Sequence, residues 1–562
     1  MDAEAGSPGV GGGSGGTRPV RQPATAEFEG ALFDSFRQHM ESMIGWGRSQ
    51  EALDFEHEAV EEQVLARGFE AMRLFTEAHM AVRTARETRR EDVVDAEGDR
   101  RVTVEGNKTH TRTMLYGPVR TTRMAYRRYH KPNLYPQDRQ LNWAGAHSYS
   151  AGVVKRVAAA AALVPFEQAA AQVNAAGAIR LGKRQAEELA VAATVDFEAF
   201  YADRRPAARP EGVGLLITAD GSAFPVLPGA LRPATAKAAA ARQAALSGCP
   251  EDPGQLRKSK KRSAELVCVA DIPPAPRTCQ DILDALFSGP RQRPRATGDS
   301  ATGDSATRGG TGRARNGPVA EGKTLFASAR HPIAQVIAEG FAEAHRRDPQ
   351  HRRDWYALVD GNNTQIDAIT DQAAHHQVQV PILIDFIHVL GYLWKAAGSF
   401  FYPHDPQART WVKDQAAKIL QGKARDVATG IRRRATTHGY STSEREGADT
   451  AATYLDNKKD YLDYPAFLTA GRPIASGLIE GACRWLVKDR MEVTGARWSL
   501  DNAEAVLKLR ALVGNGDFND YFTYHLQQEK RRNHDNHYQP NPDPPDDHPP
   551  GSRSAPPLHT QN

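Results

Sequence analysis

The sequence predicts a multidomain α/β protein. Its strands and helices alternate, an all-helical insertion interrupts them, and a helical and small-β region precedes them. Three observations lead there. From residue 211, apolar runs ending in acids alternate with helical stretches: GVGLLITAD, AELVCVADI, WYALVD and PILIDFIHV. That alternation is the pattern of a mixed or parallel sheet covered by helices. Residues 389–470 then read almost wholly helical, before a last helix near 476–492. The length, 562 residues, corresponds to three or four domains at about 150 residues each.

Taken in order, residues 1–24 are rich in Gly, Ser and Pro and carry too few apolar side chains to bury a core, so disorder is expected. Residues 25–99 form a helical N-terminal region: Phe28, Leu32, Phe33 and Phe36, then Val60, Val64 and Met72, recur at helical spacing. Residues 100–145 change period to the Thr/Val/Tyr-rich runs of a small β-element with Gly-containing turns. Residues 146–205 return to short helices, broken at Gly177 and Gly182. They are compatible with a helix-turn-helix reader or with a small bundle linking two domains. The α/β domain covers 206–388 and 471–525. Its stretch 290–320 contains the literal repeat ATGDS-ATGDS and reads as an exposed, disordered loop. The tail 526–562, Pro-rich with scattered histidines, reads as disordered.

Composition narrows the function. Lys and Arg number 72 against 68 Asp and Glu, a net charge of +4. The longest apolar stretch, 157–166, is about half a bilayer crossing, so no membrane span is expected. MDAEAGSPGV lacks the basic and apolar segments of a signal peptide. Four cysteines without a C-x-x-C make neither a disulfide framework nor a zinc site. A cytoplasmic protein is expected. Local charge is less even. Between Gly106 and Gln137 stand Lys108, Arg112, Arg120, Arg123, Arg127, Arg128 and Lys131, with no acid among them. Such a run is either a solvated hairpin or a polyanion contact, and the polyanion reading is favoured.

Three acids sit where acids are costly. Asp220 ends GLLITA and Asp360 ends WYALV, each followed by Gly. A carboxylate at the carboxyl end of a buried strand faces the crevice where α/β sheets bind ligands. Glu480 lies near the start of a helix that Ser476 can cap, with Arg484 and Lys488 following at i+4 and i+8. Converging carboxylates suit Mg²⁺ or Mn²⁺, and two such ions can activate a water and stabilise the leaving oxygen of a phosphodiester. Singly, each acid also has an ordinary reading: Asp-Gly is a common turn, and a Glu near a helix start complements the dipole.

The chain resembles bacterial insertion-sequence transposases of the ISKra group, related to the Mutator-like DDE transposases. The likeness runs along TADGSAFPV (218–226), KSKKRSAELVCVADIPPAPRTCQDIL (258–283), WYALVDGNNTQIDAI (355–369), ILIDFIHVLGYLWKAAGSF (382–400), ASGLIEGACRWLVKDRMEVTGARWS (475–499) and AEAVLKLRAL (503–512). It covers roughly residues 100–525. It implies a ribonuclease H-like catalytic core interrupted by the helical insertion 389–470, with Asp220, Asp360 and Glu480 as the catalytic acids and ligands of two Mg²⁺ ions, Mn²⁺ substituting. Asp385 and His388 match the D-x-x-H that follows the second acid, and Asp385 stands as the alternative second acid. His388 either orients a phosphate or is a buried structural histidine. Trp498 is either a stacking platform for an unpaired base or a core residue. Arg123, Arg127, Arg128, Lys131, Arg484, Lys488, Arg497 and Trp498 are the candidate DNA contacts. The basic helices of the insertion, with Arg432–Arg434, join them. The implied activity is transposition: binding terminal inverted repeats on double-stranded DNA, nicking them, and joining the freed 3′ hydroxyl to target DNA. A homodimer or higher oligomer on DNA and a place at the nucleoid follow. A nuclease without strand transfer, and a degraded transposase kept as a DNA-binding protein, are the alternatives.

Overall fold

The computed structural model describes residues 26–143, 147–246, 261–287 and 317–539. The segment 1–24, most of the 290–320 loop and the tail beyond 539 lie outside the described residues. The chain divides into two units: residues 1–153, 174–180 and 527–562, and residues 154–173 with 181–526.

In the first unit the His57–Arg86 helix lies against an antiparallel ribbon of β1 (Thr103–Met114) and β2 (Gly117–Arg127). Glu77 accepts the Arg120 amide and Glu87 the Met124 amide, tying helix to ribbon. The Asp34–Gly47 helix runs back beside the long one: Phe33 and Phe36 meet Phe75, and a His39 ring nitrogen bonds the Arg67 carbonyl. The expected disorder from 526 is corrected as far as residue 539. The helix Phe518–Asn533 continues through it, and Tyr538 is buried with Val93, Tyr126 and Leu134. Apolar anchors this sparse among prolines leave no periodic pattern to read.

The second unit is built on a five-stranded sheet in the order β5-β4-β3-β6-β7. These are β3 (Gly214–Pro225), β4 (Lys261–Ile272), β5 (Glu321–Ser328), β6 (Trp355–Val359) and β7 (Ile382–Ile384). β4 is antiparallel to both of its neighbours, and β3, β6 and β7 run parallel. Side chains alternate along each strand, so the two faces take different covers. Phe341 of the Ile333–Arg347 helix meets Trp355, and Gly340 lets that helix close on Val267, where a Cβ would come within 2.6 Å. Leu216, Tyr356, Leu358 and Leu383 share one core with Val389, Leu393, Val412, Ile431 and Leu455. The residues 389–470 therefore do form helices, but they share the sheet's core and are not a separate lobe.

The helices Phe166–Ala175, Lys183–Ala192 and Phe197–Asp203 occupy the stretch read as a helix-turn-helix. In the second unit their apolar sides pack inward: Phe166 meets Trp498, Tyr201 meets Phe326, and the Ala193 carbonyl accepts the Tyr521 hydroxyl. Such packing is common to both sequence alternatives, a helix-turn-helix and a small bundle. Small, alanine-rich helices read alike whether they enter a groove or cover a sheet.

Candidate active site

β3 does not end at Asp220. It continues to Pro225, paired with β4 throughout, while β6 accompanies it only from Leu215 to Thr218. Asp220 thus sits just past the point where β6 leaves, beside the end of that strand. Gly221 is part of the strand and not a turn: a Cβ there would come within 2.9 Å of the Ser263 hydroxyl and 3.0 Å of Glu265. Asp360 directly follows β6. Its Oδ1 accepts the Asn362 amide, which opens the Asn363–His375 helix. Gly361 has φ +94, and the Tyr454 hydroxyl stands 2.6 Å from where a Cβ would be, so only glycine fits there.

Asp220, Asp360, Asp385, His388 and Glu480 line one cleft of about 470 Å³, with Ile387, Gly391, Tyr392, Lys395, Ser476 and Ile479. Burial pushes the Asp220 carboxyl up from the usual carboxylate range; the Gly221 amide opposes this, the Asp360 charge adds to it, and the Cys483 thiol and Lys488 oppose it again. The Cys483 thiol donates to Asp220 Oδ2 at 3.5 Å, and burial together with that carboxylate pushes the thiol up in turn. Glu480 is exposed at the mouth, on the Gly477–Cys483 helix. A π-helical turn, Arg484–Lys488, follows it. π-turns inside helices recur at functional sites.

Asp385 is arranged differently. It is 4% exposed, and its two oxygens take four donors: the Ile387 and His388 amides on Oδ1, and the amide and hydroxyl of Ser476 on Oδ2. It caps the Phe386–Phe400 helix and ties it to the residue that precedes the Glu480 helix. Ser476 therefore gives its hydroxyl to Asp385 and makes no cap bond of its own, correcting the expected cap. His388 is exposed in the cleft, its ring 5.7 Å from Tyr392, so it is not a buried structural histidine.

Two carboxylates facing one cleft, one of them buried and raised by the charge of the other, fit a hard divalent cation. Asp220 and Asp360 supply that pair, with Glu480 on the same cleft. Even so, among the described residues no group of three or more His, Cys, Asp or Glu side chains is drawn together closely enough to hold a metal ion. The expected three-carboxylate cluster of Asp220, Asp360 and Glu480 is thus gathered around one cleft without being closed.

Several expected DNA contacts are engaged within the protein. Trp498 is 5% exposed, donates to the Met491 carbonyl and packs on Phe166, so it is a core tryptophan and not a platform. Arg123 is buried and bound to Asp138 at 2.7 Å. Arg127 pairs with Glu105 at 2.7 Å, Lys131 with Glu97 at 2.9 Å, and Arg128 with Asp99. The basic run is largely neutralised by acids flanking it in sequence. Arg432 pairs with Asp456 and Arg434 lies 4.6 Å from both Phe400 and Phe401, so two of that triplet are engaged within the protein, while Arg433 is exposed. Arg484, Lys488 and Arg497 remain exposed, Arg484 within 3.5 Å of Asp489. Sequence reasoning missed Tyr392, Tyr454 and the contact of Cys483 with Asp220, and read Ser476 only as a helix cap. Only the i+3 spacing of Cys483 from Glu480 could have pointed to any of them. Among the described residues no helix is long and apolar enough to cross a membrane. Compared with known proteins, the chain matches no protein-family model and no curated protein.

Proposed function

We propose that the protein is a DNA transposase whose second unit is a ribonuclease H-like core, and that Asp220, Asp360 and Glu480 are its catalytic acids. The observation that carries this reading is the placement of Asp220 and Asp360 beside neighbouring parallel strands, on a cleft shared with Glu480. The strand order β5-β4-β3-β6-β7, with β4 alone reversed, supports it. Asp385 is assigned to positioning, because all four of its donors come from the protein.

Asp220 and Asp360 would hold a Mg²⁺ or Mn²⁺ ion, with Glu480 completing the set. Such ions activate a water or hydroxyl and stabilise the leaving oxygen of a phosphodiester. The chain's own residues orient the reactants. Asp385 fixes the Glu480 helix relative to the Phe386–Phe400 helix. Lys395 and His388, on the Phe386–Phe400 helix that lines the same cleft, present groups that suit a phosphate. Arg484, Lys488 and Arg497 supply exposed cations beside the Glu480 helix for the DNA backbone.

Purified protein mixed with pre-cut element ends, a supercoiled target plasmid and Mg²⁺ should give joined products. Asp220→Asn and Glu480→Gln should abolish both cleavage and joining while leaving end binding intact. Cleavage without joining would reduce the reading to a nuclease, and full activity in either variant would remove the assignment.

A further inference from the structure

No residue from 26 to 77 is buried, although this stretch forms well-defined helices. Isolated helices are marginal in water and draw most of their stability from packing an apolar face. The His57–Arg86 helix, 30 residues long, packs its C-terminal part on the β-ribbon and part of one side on the Asp34–Gly47 helix. A third strip of its surface is left largely open, with Phe75 at the edge it shares with Phe33 and Phe36. Along that strip residues recur at heptad spacing: Glu58, Glu61, Leu65, Gly68, Met72, Phe75, His79, Val82 and Arg86. Leu65 is 52% exposed, Met72 45% and Phe75 50%. Nothing lies within 4 Å of where a Gly68 Cβ would be.

The charges of this helix are segregated. Glu58, Glu61 and Glu62 precede any Lys or Arg, and the residues from Ala78 onward carry Arg83 and Arg86 with no acid. Two parallel copies would set acid against acid and base against base. Two antiparallel copies set each acidic end against a basic one. In the antiparallel register that places Met72 on the partner's Phe75, Leu65 meets the partner's Val82 and Gly68 meets the partner's His79. The same register sets Glu61 beside the partner's Arg86. Every layer occurs twice by symmetry, as an isologous two-fold interface requires. We infer that the open strip of the His57–Arg86 helix is an antiparallel dimerisation surface whose occupant is a second copy of this chain. The inference stands apart from the catalytic reading, because it needs no DNA and none of the cleft residues.

The test is the mass of the full chain in solution without DNA, by sedimentation velocity and light scattering. The expected result is a dimer at about 10 µM that Met72→Glu converts to monomer, with helix content unchanged by circular dichroism. Glu61→Arg and Arg86→Glu should each weaken the dimer roughly tenfold or more. The double variant should restore it, because the two swapped charges meet again. Arg86 also holds Glu29, but that bond is lost in the double variant as well, so rescue cannot come from it. A monomeric wild type, a dimer indifferent to Met72→Glu and Glu61→Arg, or a failed rescue in a folded double variant would each overturn the inference. So would a wild-type monomer that binds phosphatidylcholine vesicles through the same strip.

Discussion

Asp385 and Asp360 lie 25 residues apart on one cleft, and the structure gives them different work, so their removal should be felt in different measurements. Replacing Asp385 with Ala removes a helix cap, worth about 1 kcal/mol. It also strands the Ser476 amide and hydroxyl in a buried place, at about 1–3 kcal/mol for each unsatisfied donor. Together these come to about 4 kcal/mol. The second unit contains roughly 370 residues, and at ~2.1 cal/mol/K of unfolding entropy per residue that loss lowers its melting temperature by about 5 °C. Asp360→Asn should move the same transition by about 1 °C or less, because the Asn carbonyl can still accept the Asn362 amide. Differential scanning calorimetry of the full chain reads both, and a strand-cleavage assay on the same samples reads activity. Asp385→Ala should be thermally weakened yet retain measurable cleavage; Asp360→Asn should be stable and inactive. The reasoning is refuted if Asp385→Ala melts with the wild type while Asp360→Asn falls by several degrees.

Other outcomes follow from the same contacts. Burial and the Asp360 charge hold the Asp220 carboxyl above its ordinary range, so ionised Asp220 opposes folding at neutral pH. Asp220→Asn should melt higher than wild type at pH 7. The gain should fade as pH falls through the raised folded value to below the ordinary one, and Mg²⁺ or Mn²⁺ should raise the melting temperature of wild type but not of the variant. Glu339, pushed up to about 7 by burial and by Glu198 and Glu504, destabilises the fold once it ionises. Glu339→Gln should therefore stabilise the protein above pH 7 and have no effect below about 4.5, as thermal melts across that range will read. Arg123→Ala should destabilise the first unit by about 3–5 kcal/mol, because Asp138 is left buried without its cation. Urea titration checks the loss, and Asp138→Asn in the same chain should recover part of it.

Much of the sheet was legible because its strands are continuous apolar runs, and a buried strand leaves that trace in any context. The acids at Asp220 and Asp360 were legible for the same reason, since an ionisable residue interrupting such a run is conspicuous. Asp385 also interrupts an apolar run, so sequence left it as a rival second acid. What separates it from Asp360 is Ser476, which reaches it from 91 positions away. The basic run misled in a comparable way. Counted from Gly106 to Gln137 it has no acid, yet Glu97, Asp99, Glu105 and Asp138 stand just outside those limits and fold back onto it. Trp498 sat in a recognisable motif, but nothing local distinguishes a tryptophan that faces DNA from one whose N–H reaches the Met491 carbonyl.

The two parallel strands that carry the cleft are finished by the helical insertion. The Tyr454 hydroxyl donates to the Asp360 carbonyl at 3.1 Å, and the Tyr464 hydroxyl donates to the Ile384 carbonyl at 3.0 Å. The first carbonyl directly follows β6, and the second lies on β7, the strand at the edge of the sheet. The insertion is thus wired to the backbone of its neighbour at two points, and a tilt of its helices pulls directly on the peptide that bears Asp360. A shortened chain that joins the two halves of the sheet with a simple loop would lose both hydroxyls and free the strand tips beside the cleft. Swapping this segment between related chains should succeed only where both tyrosines travel with it.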